Sequence, residues 1–353
     1  MQHWPAKKAY IIALFAIAAV ITLPLWNLLP VWQRDFVNIW LSGRAIGSGI
    51  NPYDVQAFYG FAQGYFPDVS LRQVNFTYPP HAILLFAPFS LLTPTASLIA
   101  WDMASLGLFY LAARPLMPEG MPTILALLTP AGLICLIYGQ TGLISATLFL
   151  LAFRLNGVAA ALLSFKPHMG FLVIPALIRS RRALWTAIIA AIVLMVASAI
   201  IMPSGWRDFV HHAGVFQGAK LTSGSGQAWL FKGTTPMIGY GVWGWLLYAA
   251  GAAYLLARNF NVFTAATATF LISPYGFHYD MAAVCLGFAI LLYGHWEAMP
   301  SWHKVVATLA FLSPLIVEAG TWLVPPILLL GLLVQSEWIG GSSGMDSAGD
   351  PAT

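Results

Sequence analysis

Asp35 follows Arg34 just beyond the first apolar run of a 353-residue chain in which only 8% of residues are charged. A carboxylate held at a membrane surface, on the side away from a basic N-terminus (Lys7, Lys8), can take a proton from a sugar or lipid hydroxyl. That makes Asp35 the candidate catalytic residue, an ion pair with a basic neighbour being its alternative use. Beyond it stand Ser42-Gly43-Arg44, Asn51-Pro52-Tyr53-Asp54 and Phe76-Thr77-Tyr78-Pro79-Pro80-His81, whose Asn-Pro and Pro-Pro pairs also mark turns.

Lys166-Pro167-His168 lies between two apolar pieces, where an ionisable residue is costly and is a functional candidate by default. The proline frees a helix start whose N–H groups favour an anion, so Lys166 and His168 could hold one. A solvated hairpin tip is the competing reading, and with such solvent access Lys166 should be cheap to remove. Ser273 to Asp280 joins two apolar runs; its His278, with an ordinary pKa of about 6.5, could protonate a leaving oxygen, and Asp280 could be a second carboxylate. Gln140, in a short turn, could bind a sugar hydroxyl or cap a helix. Asp102 and Glu318, inside apolar runs, read as structural. No metal site is expected, because adjacent side chains such as His211 and His212 diverge by about 100° on a helix. Cys135 and Cys285 sit singly in apolar runs and suggest neither metal nor disulfide.

These residues must be positioned by a membrane-embedded scaffold. Hydrophobic residues make up 59% of the chain and mean hydropathy is +0.77, values outside the range of soluble domains. Apolar runs at 9–29, 95–113, 122–138, 141–153, 155–165, 167–178, 183–202, 236–257, 262–273, 280–293, 304–318 and 321–335 predict an all-α polytopic transmembrane bundle of about 10–12 spans. Several runs are too short to cross alone, so they are broken helices meeting at mid-depth, steeply packed helices, or spans whose ends lie elsewhere. Lys7, Lys8, Arg114, Arg154, Arg179, Arg181, Arg182, Arg258 and Lys304 fall on one side, which the positive-inside rule makes cytoplasmic. The other side carries 30–80 and 203–235 as first and second extracytoplasmic loops, with interfacial helices, and the connection 273–280. Arg34, Arg44, Arg72, Lys166, Arg207, Lys220 and Lys232 lie on or near that outer side, and binding an anionic ligand would explain the excess. The stretch from Phe36 to Ala45 reads as amphipathic. The membrane domain covers 1–339, and the Gly/Ser/Asp-rich 340–353 reads as a disordered cytoplasmic tail. Despite a net charge of +4, the scattered cations argue against a nucleic-acid partner.

The ordered set of Asp35, Gly49-x-Asn-Pro-Tyr-Asp54, Phe76-x-Tyr-Pro-Pro80, Gly139-Gln140, Lys166-Pro167-His168 and Ser273-Pro274-Tyr275 resembles the C-type (GT-C) membrane glycosyltransferases, most closely glycosyltransferase family 87. Its best-known members are mycobacterial phosphatidylinositol-mannoside α-1,2-mannosyltransferases. The resemblance implies an inverting hexosyltransferase of the bacterial inner membrane, taking a sugar, mannosyl-type first, from a polyprenyl-phosphate donor. The acceptor would be a hydroxyl of a lipid-linked or polymeric glycan at the extracytoplasmic face. It implies Asp35 as base, with Arg44, Tyr78, Gln140, Lys166, His168, Tyr275 and His278 binding substrate, and no cofactor. A transporter or lipid flippase without covalent chemistry is the rival class, since broken helices suit transport too.

Overall fold

The computed structural model describes residues 29–70, 74–212 and 234–339, together with Ala16 and Val20. Nearly all of the expected first span, 9–29, thus lies outside the described residues, as do Arg72, Lys220, Lys232, much of the second outer segment and the 340–353 tail. Among the described residues the regular elements are helices and no strand occurs. They include α1 (Phe36–Gly47), α2 (Val55–Tyr65), α3 (Ala82–Phe86), α4 (Pro94–Ala113), α5 (Pro130–Tyr138), α6 (Gly142–Phe153), α7 (Gly157–Leu163), α8 (Pro167–Gly170), α9 (Ile174–Ile178) and α10 (Arg181–Ile201). After the second outer segment follow α11 (Pro236–Arg258), α12 (Val262–Ile272), α13 (Ala282–His295), α14 (Ser301–Ile316) and α15 (Val324–Trp338).

Local sequence explains the helix starts. Pro94, Pro130, Pro167 and Pro236 each occupy the first turn of a helix, where the missing N–H is no loss. Asp54, Thr129, Asn156, Ser180 and Asn261 accept hydrogen bonds from first-turn N–H groups of α2, α5, α7, α10 and α12. Among the described residues three helical stretches, Pro94–Leu116, Arg181–Ile201 and Thr321–Trp338, are long and apolar enough to cross a bilayer. Shorter apolar helices include Gly142–Phe153, Pro167–Ile178 and Val262–Ile272. The break expected at Lys166-Pro167-His168 is present: Gly157–Leu163 ends before it and Pro167–Gly170 starts after it, passing into a 3-10 turn, Phe171–Val173, and then Ile174–Ile178. Buried polar links join helices where apolar packing offers no specificity, as where Thr267 of α12 donates to Gln335 of α15 at 2.7 Å.

The bundle has two chemically different ends. At one end Asn259 donates to the Ser336 carbonyl (2.9 Å), Arg179 lies over the Phe260 ring (5.5 Å) and Tyr293 donates to the Gly120 carbonyl (2.8 Å). Following the helices up and down puts Arg114, Arg154, Arg181, Arg182, Arg258 and Lys304 at this same end. At the opposite end Thr234 donates to the Gly276 carbonyl (3.2 Å), Trp245 to Ile272 (2.8 Å) and Tyr240 to Trp322 (2.7 Å). The α1 start, the α5–α6 turn, the α7–α8 break and residues 273–280 all lie at that second end.

Two expectations are corrected here. The stretch 36–45 is not a surface amphipathic helix: Phe36, Val37, Asn38, Ile39, Trp40, Leu41, Ser42 and Ala45 are all buried, so α1 is packed nearly all round. A one-sided pattern is found instead in α2, which buries Phe58 and Ala62 one turn apart and leaves its other faces outward. Glu318 is not inside a span but exposed in the turn after α14. Asp102, by contrast, is buried in α4 and interacts electrostatically with Arg34.

Candidate active site

Asp35 occupies the residue before α1, in a helical backbone conformation, and its carboxylate makes no capping bond to that helix. The side chain is therefore available to point elsewhere, and it is exposed. Its neighbours fix the backbone: Phe36 and Trp40 are buried, and the Arg34 guanidinium donates to the carbonyls of Ile137 (2.6 Å) and Leu29 (2.9 Å). Gly139 closes α5 in the left-handed region at φ 60°, where a Cβ would lie 2.5 Å from Cβ of Phe36. Glycine is needed on both counts, conformation and space. The turn it makes brings Gln140 back so that its amide donates to Oδ2 of Asp35. Gln140 is therefore a partner of the carboxylate.

A second cluster faces this one. Lys166 immediately precedes α8 and donates to Oδ1 of Asp280 at 2.5 Å, with side chains 6% and 1% exposed. The hairpin-tip reading with a solvated Lys166 is thus corrected: the ammonium is in a buried ion pair, because an unpaired charge at that depth would cost several kcal/mol. Its faces are aromatic, with Tyr279 at 4.9 Å and Tyr78 at 6.0 Å from Nζ to ring centre. Asp280 is carried on a 3-10 turn, His278–Met281. This turn can approach because residue 142 is glycine: a Cβ there would sit 1.9 Å from the Tyr279 carbonyl oxygen. That carbonyl accepts from the Cys135 thiol at 3.2 Å. Tyr78 shares a hydrogen bond with the Thr141 hydroxyl at 3.2 Å, and His168 meets the Tyr275 ring edge-on at 4.9 Å.

The electrostatics tie the two clusters together. Burial pushes the Tyr78, Tyr275 and Tyr279 hydroxyls up, and the charges of Asp280 and Asp35 push each further, while Lys166 and Thr141 pull Tyr78 back down. All three are neutral phenols at pH 7, able to donate to an anionic oxygen. Asp35 therefore acts on the same space as Tyr78, Tyr275 and Tyr279, although it is distant from them in sequence.

Of the residues singled out in the sequence, Asp35, Tyr78, Gln140, Lys166, His168, Tyr275 and His278 come to one end of the bundle. Arg44 does not join them: it is nine positions along α1, roughly 13 Å at 1.5 Å per residue. There it lies over the Trp40 ring at 5.3 Å and near the Leu91 and Leu92 carbonyls. The outward excess of cations now has an internal use in the described members: Arg34 on carbonyls, Lys166 on Asp280, and Arg207 on Asp208 at 3.1 Å. Thr141 escaped the sequence reading, though it adjoins Gln140; Tyr279 stood within the 273–280 connection but without a role of its own. Asn38 escaped it too; its side chain accepts from the Asn75 N–H at 2.8 Å and so fixes the path into Phe76 and Tyr78. Among the described residues no group of three His, Cys, Asp or Glu side chains could hold a metal ion.

Neither a curated protein nor a solved structure matches the chain. A family model does match: that of glycosyltransferase family 87, over residues 76–274, more than half of the sequence. The matched stretch contains Tyr78, Gln140, Lys166 and His168, while Asp35 and Arg44 precede it and Tyr275 and His278 follow directly after it. With helical architecture, apolar helices long enough to span a bilayer and this match, the chain belongs to glycosyltransferase family 87 and is a membrane glycosyltransferase.

Proposed function

We propose that the protein is an inverting transferase that moves a sugar, mannosyl-type first, from a polyprenyl phosphate to a hydroxyl of a lipid-linked or polymeric glycan. One transferase domain would span 1–339. The observation that carries this reading is an exposed carboxylate, Asp35, held by Gln140 and sharing its surroundings with a lysine, two histidines and three neutral tyrosines. In the reaction the acceptor O–H gives its proton to Asp35 as the oxygen bonds to the anomeric carbon. The carbon–phosphate oxygen bond breaks from the opposite face, and its electron pair stays on the departing polyprenyl phosphate. Lys166, kept in place by Asp280, would supply positive potential beneath that phosphate. His168, His278 and the tyrosine hydroxyls would donate to its oxygens.

The basic end of the bundle supports a cytoplasmic assignment, which puts the Asp35 end extracytoplasmic in a bacterial inner membrane. Nucleotide sugars are not supplied there, so a lipid-linked donor suits the location. Sealed vesicles of known orientation test donor and face together. Radiolabelled polyprenyl-phosphate mannose in the leaflet at the Asp35 side should label membrane glycan, and labelled nucleotide sugar on either side should not. Transfer directly from the nucleotide sugar, or from donor confined to the opposite leaflet, would overturn the assignment.

A further inference from the structure

Asn51, Tyr53, Asp54, Arg207, Asp208 and His211 are among the residues that line a cavity of about 700 Å³ beside the Asp35 cluster. That is within the range of about 300–1,000 Å³ common for small-ligand sites. It unites two motifs the proposed chemistry leaves unused, Asn51 to Asp54 from the first outer segment and His211-His212 from the helical stretch 205–212. Their side chains are arranged rather than scattered. Asn51 donates to Oδ2 of Asp208 at 2.7 Å and its own oxygen accepts from the Tyr53 N–H at 3.0 Å. Asp54 caps α2 through Oδ1. Tyr53 forms a mostly buried wall, its ring tilted against Phe76 at 5.5 Å and His212 at 6.1 Å.

Ligand chemistry follows from this lining. Hydrogen bonds, from Ser204 first and then Asn51 and Arg207, hold the Asp208 carboxyl below its usual range, so it is an ionised acceptor at neutral pH. The carboxylates of Asp54 and Asp208 offer acceptors, and the single guanidinium, Arg207, pairs with Asp208 at 3.1 Å. No triad of ligating side chains among the described residues suits a metal. Carboxylates, an amide, imidazole and guanidinium beside an aromatic wall match a neutral ligand rich in hydroxyls, which needs acceptors and donors in close alternation. The cavity also communicates with the reacting end: the Tyr53 hydroxyl donates to the Tyr78 carbonyl at 2.5 Å, and Tyr78 belongs to the Asp35 and Lys166 cluster.

We propose that this cavity is the acceptor subsite, binding a neutral oligosaccharide segment next to the sugar that carries the attacking hydroxyl; the assignment rests on the transferase reading above. His211 is exposed and suits a mild test, and Asp208 a stronger one. An α-linked mannotriose is titrated into full-length Asp35→Asn protein with ligand-observed NMR, alone and with His211→Gln or Asp208→Asn added. The same substitutions in the wild-type background are assayed for transfer at saturating donor. Each should weaken mannotriose binding, and raise the apparent acceptor KM, about tenfold, with donor KM unchanged, the worth of one or two hydrogen bonds. Wild-type affinity in both variants, a change in donor KM instead, or no oligosaccharide binding by the unsubstituted protein would overturn the proposal. Binding that depends on these residues without any sugar transfer would instead remove the transferase reading and leave the cavity as a glycan site.

Discussion

Asp35→Asn should abolish most sugar transfer while leaving the protein folded. Asparagine has nearly the same shape, and its side-chain oxygen can still accept from the Gln140 amide. It cannot take a proton at neutral pH. Loss of a general base costs a factor of about 100 to 10,000 in turnover. Because Asp35 is exposed and makes no helix cap, the expected change in stability is small, within about 0.5 kcal/mol. Melting temperature in detergent and transfer rate, measured on one preparation, separate the roles: a destabilised protein with normal transfer per folded molecule would make Asp35 a structural residue.

Lys166→Ala is expected to destabilise the fold by about 3–5 kcal/mol, because it strands the carboxylate of Asp280 in a site where its side chain is 1% exposed. The reverse change, Asp280→Ala, strands the ammonium and should cost a similar amount. Replacing both, Lys166→Met with Asp280→Leu, removes the stranded charge and should recover most of the stability, yet transfer should stay lost if the cation beneath the phosphate matters. Denaturant titration of the three variants reads the first effect and the transfer assay the second. Single substitutions that cost under about 1 kcal/mol would mean that the pair is hydrated and weak. A stable double variant with normal transfer would confine the pair to a structural role.

What the sequence disclosed and what it hid have the same physical origin. Apolar runs and proline punctuation are local properties, so the helix limits at 94–113, 181–201 and 262–272 follow closely from them. The break at Pro167 was legible for the same reason. Pairings were not. Lys166 and Asp280 are 114 residues apart, and nothing in either neighbourhood names the other. Gln140 offered both a cap and a sugar ligand, and its actual partner, Asp35, is 105 positions away. Gly139 and Gly142 carry the missing information in a form legible only with coordinates: each is glycine because another segment, at Phe36 or Tyr279, comes too close for a Cβ. The burial of α1 was obscured by Asn38, Ser42 and Arg44, whose polarity suggests an exposed face. In the structure Asn38 bonds to the Asn75 backbone and Ser42 to the Ile39 carbonyl at 2.8 Å.

The configuration of the newly formed linkage tests the central claim most directly. One carboxylate acting as base on the acceptor hydroxyl implies a single displacement at the anomeric carbon, with the phosphate leaving from the far face. Purified protein given polyprenyl-phosphate mannose labelled with ¹³C at the anomeric carbon should yield a product whose one-bond C–H coupling reports the configuration opposite to that of the donor. Retention of the donor's configuration would require two displacements or a front-side reaction, and would contradict Asp35 as the single base.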